Sequence, residues 1–489
     1  MESRKIAGFI LGPALFLIAF FSPILKNNPG AHNLFAIFLL IVVMWVTECI
    51  PIPVTSLLAP VLITVFNIAS VKDAFAPFAN PIIMLFLGSF ILARAMCVHG
   101  LDQKLAYTVL SMRSIAHKKN RILFAMGLIS VFLSLWISNT ACTAMMYPIA
   151  LGIMGGSRSF DQKNREKSFG LFLLLMLAYS ASIGGIGTPI GSPPNLIAMG
   201  MLEKLTDYQI TFFQWMMLGS IILVPMYLFL YVFMRVKSRK TTDTPKSLDA
   251  DAMSKLHADS RLTKAQKNVL FAFSVTVFLW TFPGIVSLIW GREAPLYLWF
   301  RAHFPEAAAA IIGACLLFLL PVKWKRGEFT LSFREAVKVD WGTLLLFGGG
   351  LSLGFQMFET GLAEAIGNFF ISLGGDSASL AVISLLAITF SVFITELTSN
   401  TASANMIIPI IIAICQAASV NPLPPVIGSA MGCSFAFMLP VATPPNAIIY
   451  GSGLIRIHQM IRNGFWLNIA GIIIIWTCMM YVAPFLGLI

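Results

Sequence analysis

Two short polar runs, Ser138-Asn139-Thr140 and Ser399-Asn400-Thr401, interrupt otherwise apolar stretches at 122–156 and 379–420. Irregular backbone is tolerated at membrane depth only where protein buries it or a cavity surrounds it. A helix that restarts at such a run presents unpaired amides at its partly positive end, where an anion is stabilised by about 0.3 to 2 kcal/mol. The Ser and Thr hydroxyls and the Asn amide add directed donors. The preceding leg ends in free carbonyls, and these, with hydroxyl and Asn oxygens, suit a small hard cation. Each apex is therefore a candidate for holding an anion and a cation together. Neither contains Lys or Arg. Substrate charge must then be balanced by helix ends, neutral donors and co-bound cations, and anion affinity should collapse without those cations.

A second pair of breaks follows: Gly184-Gly-Ile-Gly-Thr-Pro-Ile-Gly-Ser-Pro-Pro-Asn195 and Ala442-Thr-Pro-Pro-Asn446. Consecutive prolines remove donors and force the preceding residue out of the helical region, so each span must unwind there. Unwinding frees carbonyls at Gly191 and Ala442 and presents Ser192 and Thr443.

The elements that position these groups follow from composition. Of 489 residues, 58% are hydrophobic and 11% charged, against about 25% charged in a soluble chain. That excludes a soluble enzyme. The formal charge of +12 sits in short clusters between long apolar runs, as in cytoplasmic loops and not in a nucleic-acid-binding surface. Candidate spans cover about 7–25, 33–50, 54–69, 82–98, 168–201, 209–234, 267–290, 303–321, 342–372, 425–454 and 464–488. The expected fold is an all-α polytopic membrane protein with about eleven transmembrane helices and two re-entrant helical hairpins. The first apolar run follows Met1-Glu-Ser-Arg-Lys without a small-residue cleavage site and reads as an uncleaved first span.

Loop charges orient the hairpins. Lys104, Arg113, Lys118, Lys119 and Arg121 precede 122–156, and Arg158, Lys163, Arg165 and Lys167 follow it. Both flanks are thus cytoplasmic. The legs 122–137 and 141–156 each reach about 24 Å at 1.5 Å per residue, short of the roughly 30 Å hydrocarbon core. The stretch 379–420 has flanks without Lys or Arg and is expected to enter from outside. This threading puts the N-terminus in the cytoplasm and the C-terminus outside. Four regions result: a first span at 1–31, a first repeat at 32–234, a cytoplasmic linker at 235–266 and a second repeat at 267–489.

Sliding the chain by 261 positions aligns the halves without a gap from Leu85 to Ile149. Leu85-Phe86, Gly88, Leu92, Met96 and Gly100-Leu101 match Leu346-Phe347, Gly349, Leu353, Met357 and Gly361-Leu362. Ser138-Asn139-Thr140-Ala141, Met145 and Pro148-Ile149 match Ser399-Asn400-Thr401-Ala402, Met406 and Pro409-Ile410. An odd number of crossings separates equivalent points, so the repeats are inverted. Inverted repeats with broken helices characterise secondary transporters, whose sites lie near the bilayer midplane at the repeat interface.

The remaining chemistry-bearing residues read as structural. The seven cysteines lie in or beside apolar runs without metal spacing and read as small core hydrophobes. No metalloprotease motif, phosphate loop or Ser-His-Asp set is present, so the chain is not expected to be an enzyme. Glu48, Arg94, Glu359, Glu364 and Glu396 fall within spans or hairpins and are expected to pair structurally in preference to coupling protons, with no partner assignable from sequence for any of them.

The paired Ser-Asn-Thr runs, the paired Pro-Pro-Asn breaks and the segment Thr47-Glu-Cys-Ile-Pro-Ile-Pro-Val-Thr-Ser-Leu-Leu58 resemble the divalent-anion/sodium symporter family, which includes sodium-coupled dicarboxylate and citrate carriers. The resemblance implies a homodimer in the cell membrane, each protomer with a scaffold and a moving part that alternates access by an elevator-like shift. It implies one sodium near Ser134, Ser138, Asn139 and Gly191 and another near Thr395, Thr398, Asn400 and Ala442. It implies that the carboxylates meet Ser138, Asn139, Thr140, Ser192, Ser399, Asn400, Thr401 and Thr443. The expected activity is uptake of a small dicarboxylate such as succinate, malate or fumarate with sodium. The alternatives are sodium-independent carboxylate exchange, or carriage of citrate or sulfate, on the same fold.

Overall fold

A computed structural model describes residues 2–110, 112, 115, 118–154, 169–206, 208–239, 241, 261–374 and 379–488. Most of the linker 235–266 and parts of the hairpin flanks, including Arg113, Arg158, Lys163, Arg165 and Lys167, lie outside them. The described chain is almost wholly helical. Its first half runs α1 (Glu2–Phe21), α2 (Pro29–Thr47), α3 (Ile52–Val65), α4 (Pro81–Val98), α5 (Leu101–Leu110), α6 (Lys119–Ser134), α7 (Asn139–Ile153), α8 (Phe169–Gly184), α9 (Pro193–Leu205) and α10 (Phe212–Ser238). The second runs α11 (Lys264–Trp290), α12 (Pro295–His303), α13 (Glu306–Leu319), α14 (Trp341–Glu359), α15 (Leu362–Gly374), α16 (Leu380–Thr395), α17 (Asn400–Ala417), α18 (Leu423–Cys433), α19 (Pro444–Gly451) and α20 (Ile457–Thr477). A two-stranded antiparallel hairpin, β1 (Pro321–Lys323) and β2 (Glu328–Phe329), follows α13.

Each apolar stretch read as a hairpin is two helices broken at its polar run. Ser138 and Ser399 adopt extended backbone and cap the second legs, their hydroxyls accepting from Ala141 N and Ala402 N at 3.2 Å each. The first legs, α6 and α16, have 16 residues, or about 24 Å. Seven helices among the described residues are long and apolar enough to cross a membrane, and α17, with 18 residues, is one of them. Length and hydropathy alone do not separate a hairpin leg from a crossing.

Two expected spans and one expected loop need correction. The stretch 342–372 is not one helix: α14 ends at Glu359, Gly361 takes φ +76°, and α15 starts afresh. Its counterpart 261 positions earlier does the same, with Gly100 at φ +60° between α4 and α5. Only glycine adopts this turn without strain. The segment 99–121, read as a loop, therefore contains a helix. The span drawn from 303 begins at Glu306, because α12 meets α13 at a 60° bend.

Packing separates an outer frame from an inner body. In the frame α1 lies on α2, α3 on α14, and α4 on α13. The inner body centres on α8, buried along its whole length, as expected of a helix that is apolar all round. Both legs of the first hairpin pack on α8, and α18 lies against both legs of the second. The halves then interlock: α9 packs on α17, and α19 on α7 and α8. Exposed Phe9, Ile10, Leu17, Ile18 and Phe21 give α1 an apolar outer surface suited to lipid.

Charged residues within the helices find different partners. Arg94 pairs with Glu335 at 2.5 Å, and Glu48 stands 4.0 Å from Arg4. Glu396 pairs with no cation among the described residues, contrary to the expected ion pair. Of the cysteines, Cys49, Cys142, Cys415, Cys433 and Cys478 are buried, but Cys97 is half-buried and Cys315 exposed, so those two are not core residues.

Candidate substrate and cation site

The prolines begin helices. Pro193 and Pro194 open α9, and Pro444 and Pro445 open α19; a missing N–H costs nothing at the first helical positions. The irregular backbone lies just before them, at 185–192 and 434–443. In each loop one asparagine aligns the carbonyls. Asn195 Nδ2 donates to Gly185 O and Thr188 O at 2.8 Å each. Asn446 Nδ2 donates to Ala436 O at 2.9 Å and Leu439 O at 3.0 Å. Every partner in the second loop is 251 positions from its counterpart.

Oxygen atoms gather where a loop meets a hairpin apex. Ser134 Oγ donates to Asn139 Oδ1 at 2.6 Å. Gly185 and Gly191 close the cluster from the loop: a Cβ on Gly185 would stand 2.5 Å from Asn139 Oδ1, and one on Gly191 2.9 Å from Ser134 O and 2.7 Å from Gly185 O. Only glycine permits this approach. The second cluster repeats the pattern, with Thr395 Oγ1 2.8 Å from Asn400 Oδ1 and 2.7 Å from Cys433 O. Thr398 Oγ1, nearby in sequence, is buried without a hydrogen-bond partner among the described residues. Hydroxyl, amide and backbone oxygens of this kind are ligands for hard monovalent cations.

The two clusters are joined across the repeat interface. Ser192 Oγ lies 2.9 Å from Ser434 Oγ, and Tyr179 OH on α8 donates to Phe437 O at 2.8 Å. Thr443 Oγ1 accepts from Asn446 N at 3.3 Å. Ser138, Asn139, Thr140, Ser399, Asn400 and Thr401 remain at least partly exposed at the apices, and Ser192, Ala442 and Thr443 are buried. The structure thus brings together Ser134, Asn139 and Gly191, and likewise Thr395 and Asn400. Among the described residues no side-chain hydrogen bond ties Thr140 or Thr398 to either cluster.

The supports differ between halves. Thr188 Oγ1 donates to Leu135 O, and Trp215 Nε1 to Ile186 O at 3.1 Å. In the second half Glu396, 3% exposed, accepts from Met438 N at 2.8 Å, Leu439 N at 3.0 Å and Asn468 Nδ2 at 2.7 Å. Three N–H donors satisfy a buried carboxylate without a cation. Thr188, Tyr179, Trp215, Ser434 and Asn468 are additions to the residues chosen from sequence. Among the supporting residues, only Asn195 and Asn446 of the Pro-Pro-Asn runs carried a repeat signal.

A helical, polytopic bundle whose broken helices meet at paired polar apices defines a membrane transporter. The chain belongs to the family described as the sodium:sulfate symporter transmembrane region, whose model matches residues 3–489. It is 35% identical over 492 residues to the sodium-dependent dicarboxylate transporter SdcS of Staphylococcus saprophyticus, covering 98% of this chain and 92% of that protein. The protein of the same name from Staphylococcus aureus is 36% identical over 499 residues, covering 99% and 92%. Among solved structures, the YdaH transporter of Alcanivorax borkumensis aligns with a TM-score of 0.58 at 12% identity, over 94% of this chain and 99% of that one. That likeness concerns the fold.

Proposed function

We propose that the protein imports a small dicarboxylate such as succinate, malate or fumarate together with sodium across the cell membrane. The reading is carried by the duplicated oxygen clusters, Ser134 with Asn139 and Thr395 with Asn400, which meet at one repeat interface without a Lys or Arg in either apex. The names of the staphylococcal relatives support the same substrate class. One sodium is held by Ser134, Ser138, Asn139 and Gly191, and the other by Thr395, Thr398, Asn400 and Ala442. The carboxylates meet Ser138, Asn139, Thr140, Ser192, Ser399, Asn400, Thr401 and Thr443. The cations supply the positive charge that the apices lack.

Alternating access follows from the repeat. Helix α9 is buried from Pro194 to Leu202, whereas Pro444 and Ala447 of α19 are exposed. One side of the site is covered and the other open, and an elevator-like shift of the inner body against the frame exchanges them. On this reading the protein is a homodimer, its N-terminus and the 235–266 linker are cytoplasmic, its C-terminus is external, and the α19 side opens to the cytoplasm.

The test is uptake of labelled succinate, citrate and sulfate into sealed proteoliposomes under an imposed sodium gradient. Succinate should accumulate only when sodium is driven inward, with saturation, and should emerge chemically unchanged. Succinate counterflow of equal rate without sodium would replace symport by exchange, and accumulation of sulfate or citrate in its place would overturn the substrate.

A further inference from the structure

Away from the apices, a cavity of about 340 Å³ opens where α6 begins and α10 ends, lined by Ile115, Asn120, Arg121, Phe124, Ala125 and Tyr231. Its wall is aromatic: Phe124 meets Tyr231 edge-on at 5.1 Å, and Tyr227 OH donates to Phe124 O at 2.6 Å. A second guanidinium follows one helical turn beyond Tyr231, with Arg235 lying 6.0 Å over that ring. Arg235 Nε is buried and has no hydrogen-bond partner among the described residues, and an N–H left in that condition requires an acceptor.

Below the two arginines the surface turns apolar along both helices. Phe124, Leu128 and Phe132 are exposed at successive turns of α6, as are Val224, Leu228 and Val232 on α10. A cationic mouth above paired apolar stripes has the chemistry of a phospholipid: planar guanidinium groups match a phosphodiester, and the stripes match acyl chains. A soluble anion would use the mouth alone, whereas a phospholipid engages mouth and stripes together.

We propose that this cleft between α6 and α10 is a binding site for an anionic phospholipid, with the phosphate at Arg121 and Arg235 and the chains along Phe124–Phe132 and Val224–Val232. The bound lipid clamps α6, the first leg of one hairpin, to α10, which packs on α8, so it travels with the inner body.

The full chain, purified in detergent and delipidated, is titrated with phosphatidylglycerol, phosphatidylcholine or soluble glycerol 3-phosphate and read by native mass spectrometry. Phosphatidylglycerol should bind about thirtyfold more tightly than phosphatidylcholine, and glycerol 3-phosphate should compete poorly. The paired change Arg121→Gln with Arg235→Gln should abolish the preference. The control pair Lys325→Gln with Arg326→Gln, on the exposed turn of the β hairpin, should leave it intact, with melting temperature monitored throughout. If the arginine pair does not fold, Arg121→Gln alone, at an exposed position, should still lower the preference severalfold. Equal binding of the two lipids, an unchanged preference in both arginine variants, an equal loss in the control pair, or full competition by glycerol 3-phosphate would each overturn the proposal.

Discussion

The two half-sites use the same oxygens and different fastenings. Ser134 with Asn139 and Thr395 with Asn400 keep their geometry across the repeat, as do Asn195 and Asn446 with the loop carbonyls. The position that is Leu135 in the first half is Glu396 in the second. In the first half the hairpin offers the loop a carbonyl, which a threonine hydroxyl meets. In the second it offers a carboxylate, which two backbone amides and Asn468 meet. Duplication thus preserved the groups proposed to face cargo and left their support free to diverge. Support residues should govern chiefly stability, and apex residues chiefly uptake.

The largest effect that would break or sharpen this division is expected at the apices. Asn139→Ala and Asn400→Ala should each lower sodium-driven succinate uptake about ten- to a hundredfold, with thermal stability nearly intact. Normal uptake in both would remove the basis of the site. Next come the fastenings. Glu396→Ala leaves one buried and two partly buried donors unpaired and should cost about 3 kcal/mol in thermal or denaturant unfolding. Leu135→Ala keeps its backbone acceptor and should cost about 1 to 2 kcal/mol. Equal losses would show that the carboxylate is not the anchor. Smaller still, Asn195→Ala should destabilise by about 2 kcal/mol and Asn446→Ala by about 1 kcal/mol, because the open α19 side admits water to the freed carbonyls. Each should also raise the sodium concentration for half-maximal uptake severalfold.

The smallest effect lies at the helix ends. Arg94 near the end of α4 reaches Glu335, whereas Phe355, 261 positions on, has Lys204 Nζ 5.9 Å over its ring. The hydrogen bond from Lys338 and then the one from Arg94 hold the Glu335 carboxyl below its ordinary value. The folded state therefore binds that proton less tightly than the unfolded one. The contribution of the pair is present above the ordinary carboxylate range and is lost as pH falls through the lowered folded value. Glu335→Gln should reduce the melting temperature slightly at neutral pH, with the difference from the parent protein closing in acid; a difference that persists in acid would contradict the linkage.

The hairpins and breaks were legible because Ser-Asn-Thr and Pro-Pro-Asn are polar or helix-breaking sets in apolar surroundings, repeated at nearly fixed offsets. The turn at Gly361 was not, since apolar residues continue through it and one glycine in such a run carries little signal. Helix α5 was hidden for the opposite reason: Asp102 and Lys104 suggested a loop. The partners of Glu396 had no sequence signature at all, because two are backbone amides and the third, Asn468, is remote in the chain. Ser434 and Tyr179 were invisible likewise, each acting through a partner more than 240 residues away.

The most direct test of the joint anion and cation site is succinate affinity of the purified protein measured by calorimetry in sodium and again in choline at equal ionic strength. The account predicts saturable binding in sodium that falls by at least about tenfold in choline, and loss of that sodium dependence in Asn139→Ala and Asn400→Ala. Succinate bound as tightly in choline as in sodium would contradict it.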